Sequence, residues 1–294
     1  SIAPPPQSER PPSGNLDAYD AYLEGNFYAH RGALNDVRKA VMAFNTAVKL
    51  DPAYAAAWAA LSTAETNAAL LSGSSAELTQ TLPRARESAE KAVTLAPVLA
   101  LAHNALGNIL LYESNWSGAE IEYRRAEQLA PAFASAKANL ANMSAILGRP
   151  EEAVPLMQQA LKLDPLRSTF QLNLALYLMP LGRLDQAETA MRKVIALEPT
   201  GSDFYGTLSQ IDALRGYAGA ALAHAQQETG AGFHDIAIAQ ALQIGSDRAA
   251  ADAALKTLIT KSGDDAPVQI AETYGQREEA DNVFKWLAHA RVAK

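Results

Sequence analysis

Pro97, Pro131, Pro165 and Pro199 stand 34 residues apart, and further columns keep the same step. Ala119, Ala153, Ala187 and Ala221 form one; Leu106, Leu140, Leu174 and Leu208 form another. Beside the leucines are small residues, Gly107, Ala141, Ala175 and Ser209. Gly148, Gly182 and Gly216 recur in phase, as do Tyr123, Met157 and Met191; Ala126 and Ala160 close the set, with Val194 a conservative departure. A repeat of this period confines the chain to a stack of like units, each burying its apolar face only against its neighbours.

The columns describe one unit. Leucine and the small residue share a face of a first helix, which the glycine ends in a tight turn. A second helix carries alanine where the helices cross, because a larger side chain would hold them apart. The aromatic or methionine four residues on fills the gap between units. Proline cannot continue the second helix, as in Lys49-Leu50-Asp51-Pro52 and Lys162-Leu163-Asp164-Pro165. No stretch alternates with the period of two that a half-buried strand requires, so no sheet is expected.

This pattern resembles the tetratricopeptide-repeat (TPR) family, whose consensus has W-x-x-L-G-x-x-Y in the first helix and A…F…A…P in the second. Trp58-Ala59-Ala60-Leu61-Ser62 is the fullest copy of the first half, and Phe44, Ala47 and Pro52 supply the second. The resemblance covers residues 15–228 well and the rest more weakly. It implies an all-α, right-handed TPR superhelix, an α-solenoid of about eight helical pairs, with the first helices lining a concave wall. Residues 1–14, with five prolines, read as an extended linker, and residues 15–294 as the solenoid. From about residue 229 the proline column stops and two degenerate pairs follow, near Phe233–Lys261 and Ala266–Val292, as capping units facing water would. In the last, Gly275, Ala280 and Phe284 are assigned to the glycine, alanine and aromatic columns. Pro52 to Pro97 spans 45 residues, 11 more than the period, and the segment Leu71–Thr81 is expected to lengthen a turn.

Composition removes several functions. The formal charge is −7 with no basic stripe, so neither nucleic acid nor an anionic membrane surface is an expected partner. No run of 18 apolar residues exists to span a bilayer, and no secretory signal is read at the start. Without cysteine there is neither a disulfide nor a thiolate metal site, and the compartment stays open between bacterial cytoplasm and periplasm. His30, His103, His224, His234 and His289 fall in no metal-ligand spacing, and His103, in the aromatic column, reads as a packing residue. The carboxylate pairs Glu87/Glu90, Glu151/Glu152 and Asp264/Asp265 suit helix starts and loops. No phosphate-binding loop or nucleophile elbow occurs. The reading is a non-enzyme with no catalytic residue, metal or cofactor.

Helical periodicity places Thr63, Asn67, Asn104, Asn108, Tyr112, Asn142, Leu172, Leu176, Met179 and Gln210 on the concave wall. They describe a groove lined by amides in its middle and apolar toward Leu176 and Met179, suited to the backbone and side chains of an extended peptide. The asparagines could equally serve the fold, and Leu176 and Met179 could pack on a neighbouring unit. The wall lacks the Lys and Arg of chaperone-tail adaptors. The expected partner is a protein or peptide; the alternative is a scaffold or homodimer, with Trp286-Leu287 as the contact. The opening Asn15–Gly25 and the closing Ile270–Leu287 are similar to the ends of TPR arrays in bacterial adenylate cyclases and winged-helix regulators. That resemblance, with a start at Ser1 rather than methionine, implies a regulatory part of a larger signalling protein, of a kind that often carries a membrane segment.

Overall fold

A computed structural model describes residues 10–199, 201 and 204–292. They form sixteen helices and no strand, in two compact units that meet between Gly148 and Arg149. The first unit holds α1 (Leu16–Arg31), α2 (Leu34–Leu50), α3 (Ala55–Leu71), α4 (Ser75–Leu95), α5 (Ala100–Tyr112), α6 (Trp116–Leu129) and α7 (Ala134–Ile146). The second holds α8 (Pro150–Leu163), α9 (Ser168–Leu178), α10 (Leu184–Leu197), α11 (Phe204–Leu214), α12 (Ala218–Ala225), α13 (Ala231–Gln243), α14 (Arg248–Ser262), α15 (Pro267–Gln276) and α16 (Ala280–Val292). The count is the eight pairs expected. Of the expected proline-rich linker, residues 1–9 lie outside the described residues. At its end the Ser13 hydroxyl donates to Asp51 Oδ2 at 2.6 Å.

The proline column acts through the residue before it. Asp51, Ala96, Ala130, Asp164 and Glu198 each precede a proline and hold φ between −134° and −143° with ψ between 75° and 91°. The pyrrolidine ring disfavours helical geometry there, so the second helix stops at a fixed residue. The chain then turns with proline at the second position: Tyr54 N–H donates to Asp51 O at 3.0 Å, Leu99 to Ala96 at 3.0 Å and Phe133 to Ala130 at 2.9 Å. At the other end of each pair, Gly148, Gly182 and Gly216 have φ of 73°, 65° and 77°, the left-handed conformation expected for this column. Ser114 takes the slot one period before Gly148, with φ 60°.

The alanines of the crossing column are fully buried, as are Tyr123, Met157 and Met191. Size is matched across each close approach. A Cβ on Gly107 would lie 2.6 Å from the Tyr123 ring, and one on Gly25 would lie 2.4 Å from Phe44. Where the partner slot holds a thinner side chain, as at Met191, the small residue is alanine, here Ala175.

Two expectations are corrected. The insertion between Pro52 and Pro97 does not lengthen a turn. α3, of 17 residues, exceeds α5, of 13, by four, and α4, of 21, exceeds α6, of 14, by seven, which accounts for all 11. Four and seven residues are close to one and two helical turns, so the added length leaves the packed faces in phase. In the last pair Gly275 lies inside α15, and Glu278, with φ 60°, takes the left-handed slot. The turn therefore falls three residues later than read. Phe284 is 71% exposed, while Trp286 packs on Leu255, Leu258 and Ile270.

Candidate functional site

Odd-numbered helices touch one another directly within each unit: α1 with α3 and α3 with α5, then α11 with α13 and α13 with α15. The predicted binding residues all lie on odd-numbered helices or, for Met179, at the end of one.

In the first unit, Thr63 and Asn67 of α3 line a cavity of about 420 Å³ with Tyr22, Asn26, His30 and Phe44. Thr63 donates its hydroxyl to Ala59 O at 3.1 Å within its own helix. Asn104 and Asn108 lie on α5 and face a residue that the columns do not single out. Asn139 Nδ2 donates to Asn104 Oδ1 at 2.9 Å and to Asn108 Oδ1 at 3.1 Å, and the Tyr123 hydroxyl donates to the same Asn108 oxygen at 2.9 Å. Both asparagine carbonyls are thus engaged inside the protein. Tyr112, at the last residue of α5, is exposed, and Asn142 is half-buried on α7.

In the second unit, Leu172 and Leu176 lie on α9 and Met179 is its C-cap. Met179 and Gln210 line a cavity of about 590 Å³ with Leu214, Gln240, Ile244 and Glu272; Leu172 and Leu176 do not reach it. Its floor is a row of side chains, one from each of three helices. Gln210 Nε2 donates to Gln240 Oε1 at 3.0 Å, and Gln240 Nε2 donates to Glu272 Oε2 at 3.4 Å. Gln210 belongs to the column of Thr63, Asn108, Asn142 and Leu176. Gln240 and Glu272 extend that column at separations of 30 and 32 residues, off the 34-residue period, and so escape a reading by period. Glu272 opens onto the cavity, yet burial by the surrounding helices raises its carboxyl above the usual range, an effect the Gln240 hydrogen bond opposes.

The helices carrying this row are tied to their neighbours by charged side chains. Glu228 Oε2 accepts the Gly206 N–H of α11 at 3.2 Å, and its Oε1 accepts the Gly230 N–H, at the N-cap of α13, at 2.9 Å. Arg215 bonds Asp185 at 2.6 Å and Glu188 at 2.7 Å, and the Asp212 carboxylate meets His224 Nδ1 at 2.7 Å.

His103 is buried in a packing position, as expected. Its Nε2 donates to Pro97 O at 2.9 Å, the same bond that Trp58 Nε1 makes to Pro52 O at 3.0 Å one unit earlier. The imidazole stands in for indole and adds a contact from Nδ1 to Glu122 at 2.6 Å. Among the described residues no group of three or more His, Asp or Glu is placed to hold a metal ion, and no helix is long and apolar enough to cross a membrane.

Tetratricopeptide-repeat family models match residues 104–162 and 145–211. No curated protein matches the chain. Among solved structures, the chain is similar to one in the Cut9–Hcn1 hetero-tetramer of the APC/C, with 17% identity and a TM-score of 0.65 over 93% of this chain and 52% of that one. It is similar also to a tetratricopeptide repeat protein of Parabacteroides merdae, with 14% identity and a TM-score of 0.56 over 89% of this chain and 99% of the other. PilF of Pseudomonas aeruginosa has 20% identity and a TM-score of 0.53 over 72% of this chain and 90% of its own. At these identities the likeness is one of fold. Over residues 104–211 the helical pairs match tetratricopeptide repeats, an architecture that in general serves as a scaffold for binding proteins or peptides.

Proposed function

We propose that this tetratricopeptide-repeat chain binds an extended peptide, or an extended segment of a partner protein, on its odd-numbered helices, with the 590 Å³ cavity of the second unit as the principal contact. The observation that carries this is the row Gln210–Gln240–Glu272, which sets hydrogen-bonding groups at the floor of a cavity walled by Met179, Leu214 and Ile244. A polar row beside apolar walls is what a peptide backbone with alternating side chains requires. In the first unit Thr63 and Asn67 offer a second contact region. The terminal resemblances support a setting in the regulatory part of a larger bacterial signalling protein.

The test is retention of labelled protein on an array of random hexapeptides, acetylated and amidated so that no terminal charge contributes, followed by fluorescence anisotropy on retained sequences. Binding that is lost when Ala213→Trp fills the cavity supports the proposal. Binding unaffected by that variant refutes it.

A second reading is self-association. Phe284 and Leu287 on α16 are 71% and 43% exposed, an apolar pair on an open helix face. Sedimentation at micromolar concentration decides it: a dimer that Phe284→Glu dissociates supports this reading, and a monomer removes it.

A further inference from the structure

We infer that the cavity of the second unit selects a basic side chain, a lysine or arginine of the bound peptide, with Glu272 as its anchor; this rests on the peptide-binding reading above. Glu272 is the only charged side chain lining the cavity, and it has no ion-pair partner among the described residues. The neighbouring cation is already committed. Arg277 bonds Asp252 at 2.5 Å and Glu279 at 2.7 Å. Lys261, further along the unit, bonds Asp235 at 2.8 Å. The one hydrogen bond Glu272 receives is long, at 3.4 Å from Gln240.

A carboxylate with no cation beside it leaves its acceptors open, and an arriving lysine or arginine gains charge-assisted hydrogen bonds there. The rest of the lining suits the stem of a basic residue. Leu214 and Ile244 provide apolar surface for the methylenes, while the row gives the head group acceptors rather than competing positive charge. An acidic or C-terminal carboxylate ligand meets repulsion from Glu272 and no Lys or Arg to bind it. Gly275 borders the cavity, and a Cβ there meets no atom within 4 Å, so side-chain volume added at this position projects into open space rather than into packing.

The hexapeptide array described above tests the assignment with three proteins: the unaltered chain, Glu272→Gln and Gly275→Leu. The expected result is enrichment of retained sequences in lysine or arginine beside an aliphatic residue. Glu272→Gln then weakens binding of a basic hexapeptide by about 10- to 100-fold and binding of an all-aliphatic one by less than about 2-fold. Gly275→Leu weakens both, and circular dichroism checks that each variant remains helical. Retained sequences with no basic preference, bound equally by Glu272→Gln, overturn the cation assignment and leave the peptide site standing. Retention of no peptide by the unaltered chain, or binding indifferent to Gly275→Leu, overturns the peptide site and the assignment together.

Discussion

Gly107→Ala is the most direct probe of how the repeats set their own spacing. A Cβ at this position would lie 2.6 Å from Tyr123 Cδ1 and Cε1 and 3.2 Å from Cζ. Ordinary carbon contacts begin near 3.5 Å, so the ring or the helix must move by roughly 1 Å. The ring has nowhere to go: Tyr123 is fully buried, and its hydroxyl is tied to Asn108 at 2.9 Å. Overpacking of this kind costs about 2–3 kcal/mol, while replacing glycine by alanine inside α5 returns about 1 kcal/mol of helix propensity. The net expectation is a loss of about 1–2 kcal/mol. Tyr123→Met alone also destabilises, since it removes a hydroxyl that donates to Asn108 and much of a ring. Combined, the two changes rebuild the pair found at Ala175 and Met191. In the Met background Gly107→Ala should therefore stabilise by about 1 kcal/mol, a coupling of about 2–3 kcal/mol. Urea denaturation followed by circular dichroism reads the midpoints. Native-state hydrogen exchange of α5 and α6 assigns the change locally, because repeat arrays need not unfold in one step. Strict additivity of the two substitutions would falsify the size-matching account.

Ser114→Gly and Glu278→Gly should each stabilise by about 1 kcal/mol, since both residues hold φ 60°, where a side chain is strained; unchanged or lowered denaturation midpoints would contradict this. Burial raises the Glu65 carboxyl, against the pull of Arg84, so the folded state keeps its proton to higher pH than the unfolded chain does. Stability from this site is then fully present below the ordinary glutamate value of 4.5 and is lost as pH rises through the raised one. Glu65→Gln should gain on the unaltered protein between about pH 4 and pH 7, and a difference in urea midpoint that does not change with pH refutes it. Glu228→Ala removes the acceptor of two backbone N–H groups and should cost about 2–3 kcal/mol. Hydrogen exchange should accelerate at Gly206 and Gly230, and unchanged protection there would remove Glu228 from its positioning role.

The pairs were legible because the residues that fix them answer to local physics repeated in phase. Proline acts on the residue before it, glycine supplies the left-handed turn, and alanine permits the crossing. What was not legible follows from the same cause. The insertion was read as loop because Gly73 and its serines mark a turn; they do, at residues 72–74, but the remaining length is helix. Gly275 matched the column spacing, yet Glu278 accepted the strained conformation instead, and spacing alone cannot show which residue a turn will use. Among the candidate binding residues, Met179 and Gln210 meet at one cavity and Thr63 and Asn67 at another. Asn139, which engages Asn104 and Asn108, sits one residue before a column leucine and carries no signal of its own.

The cavity stands where the repeat loses its regularity, and the two facts have one origin. α12 has 8 residues where α6, α8 and α10 have 14, and the segment after it lacks the column proline. Without proline to end the helix and set the turn, Glu228 takes over, its carboxylate accepting a backbone N–H from the start of α11 and another from the start of α13. The shortened unit brings Gln210 and Gln240, 30 residues apart, within 3.0 Å. Where the period is kept, the same column holds Asn142, Leu176 and Gln210, two amides and an aliphatic side chain. Where it contracts, the column becomes a hydrogen-bonded row ending in a carboxylate. Regular repeats supply a wall, and departure from the repeat supplies a polar floor that a partner can distinguish from its neighbours.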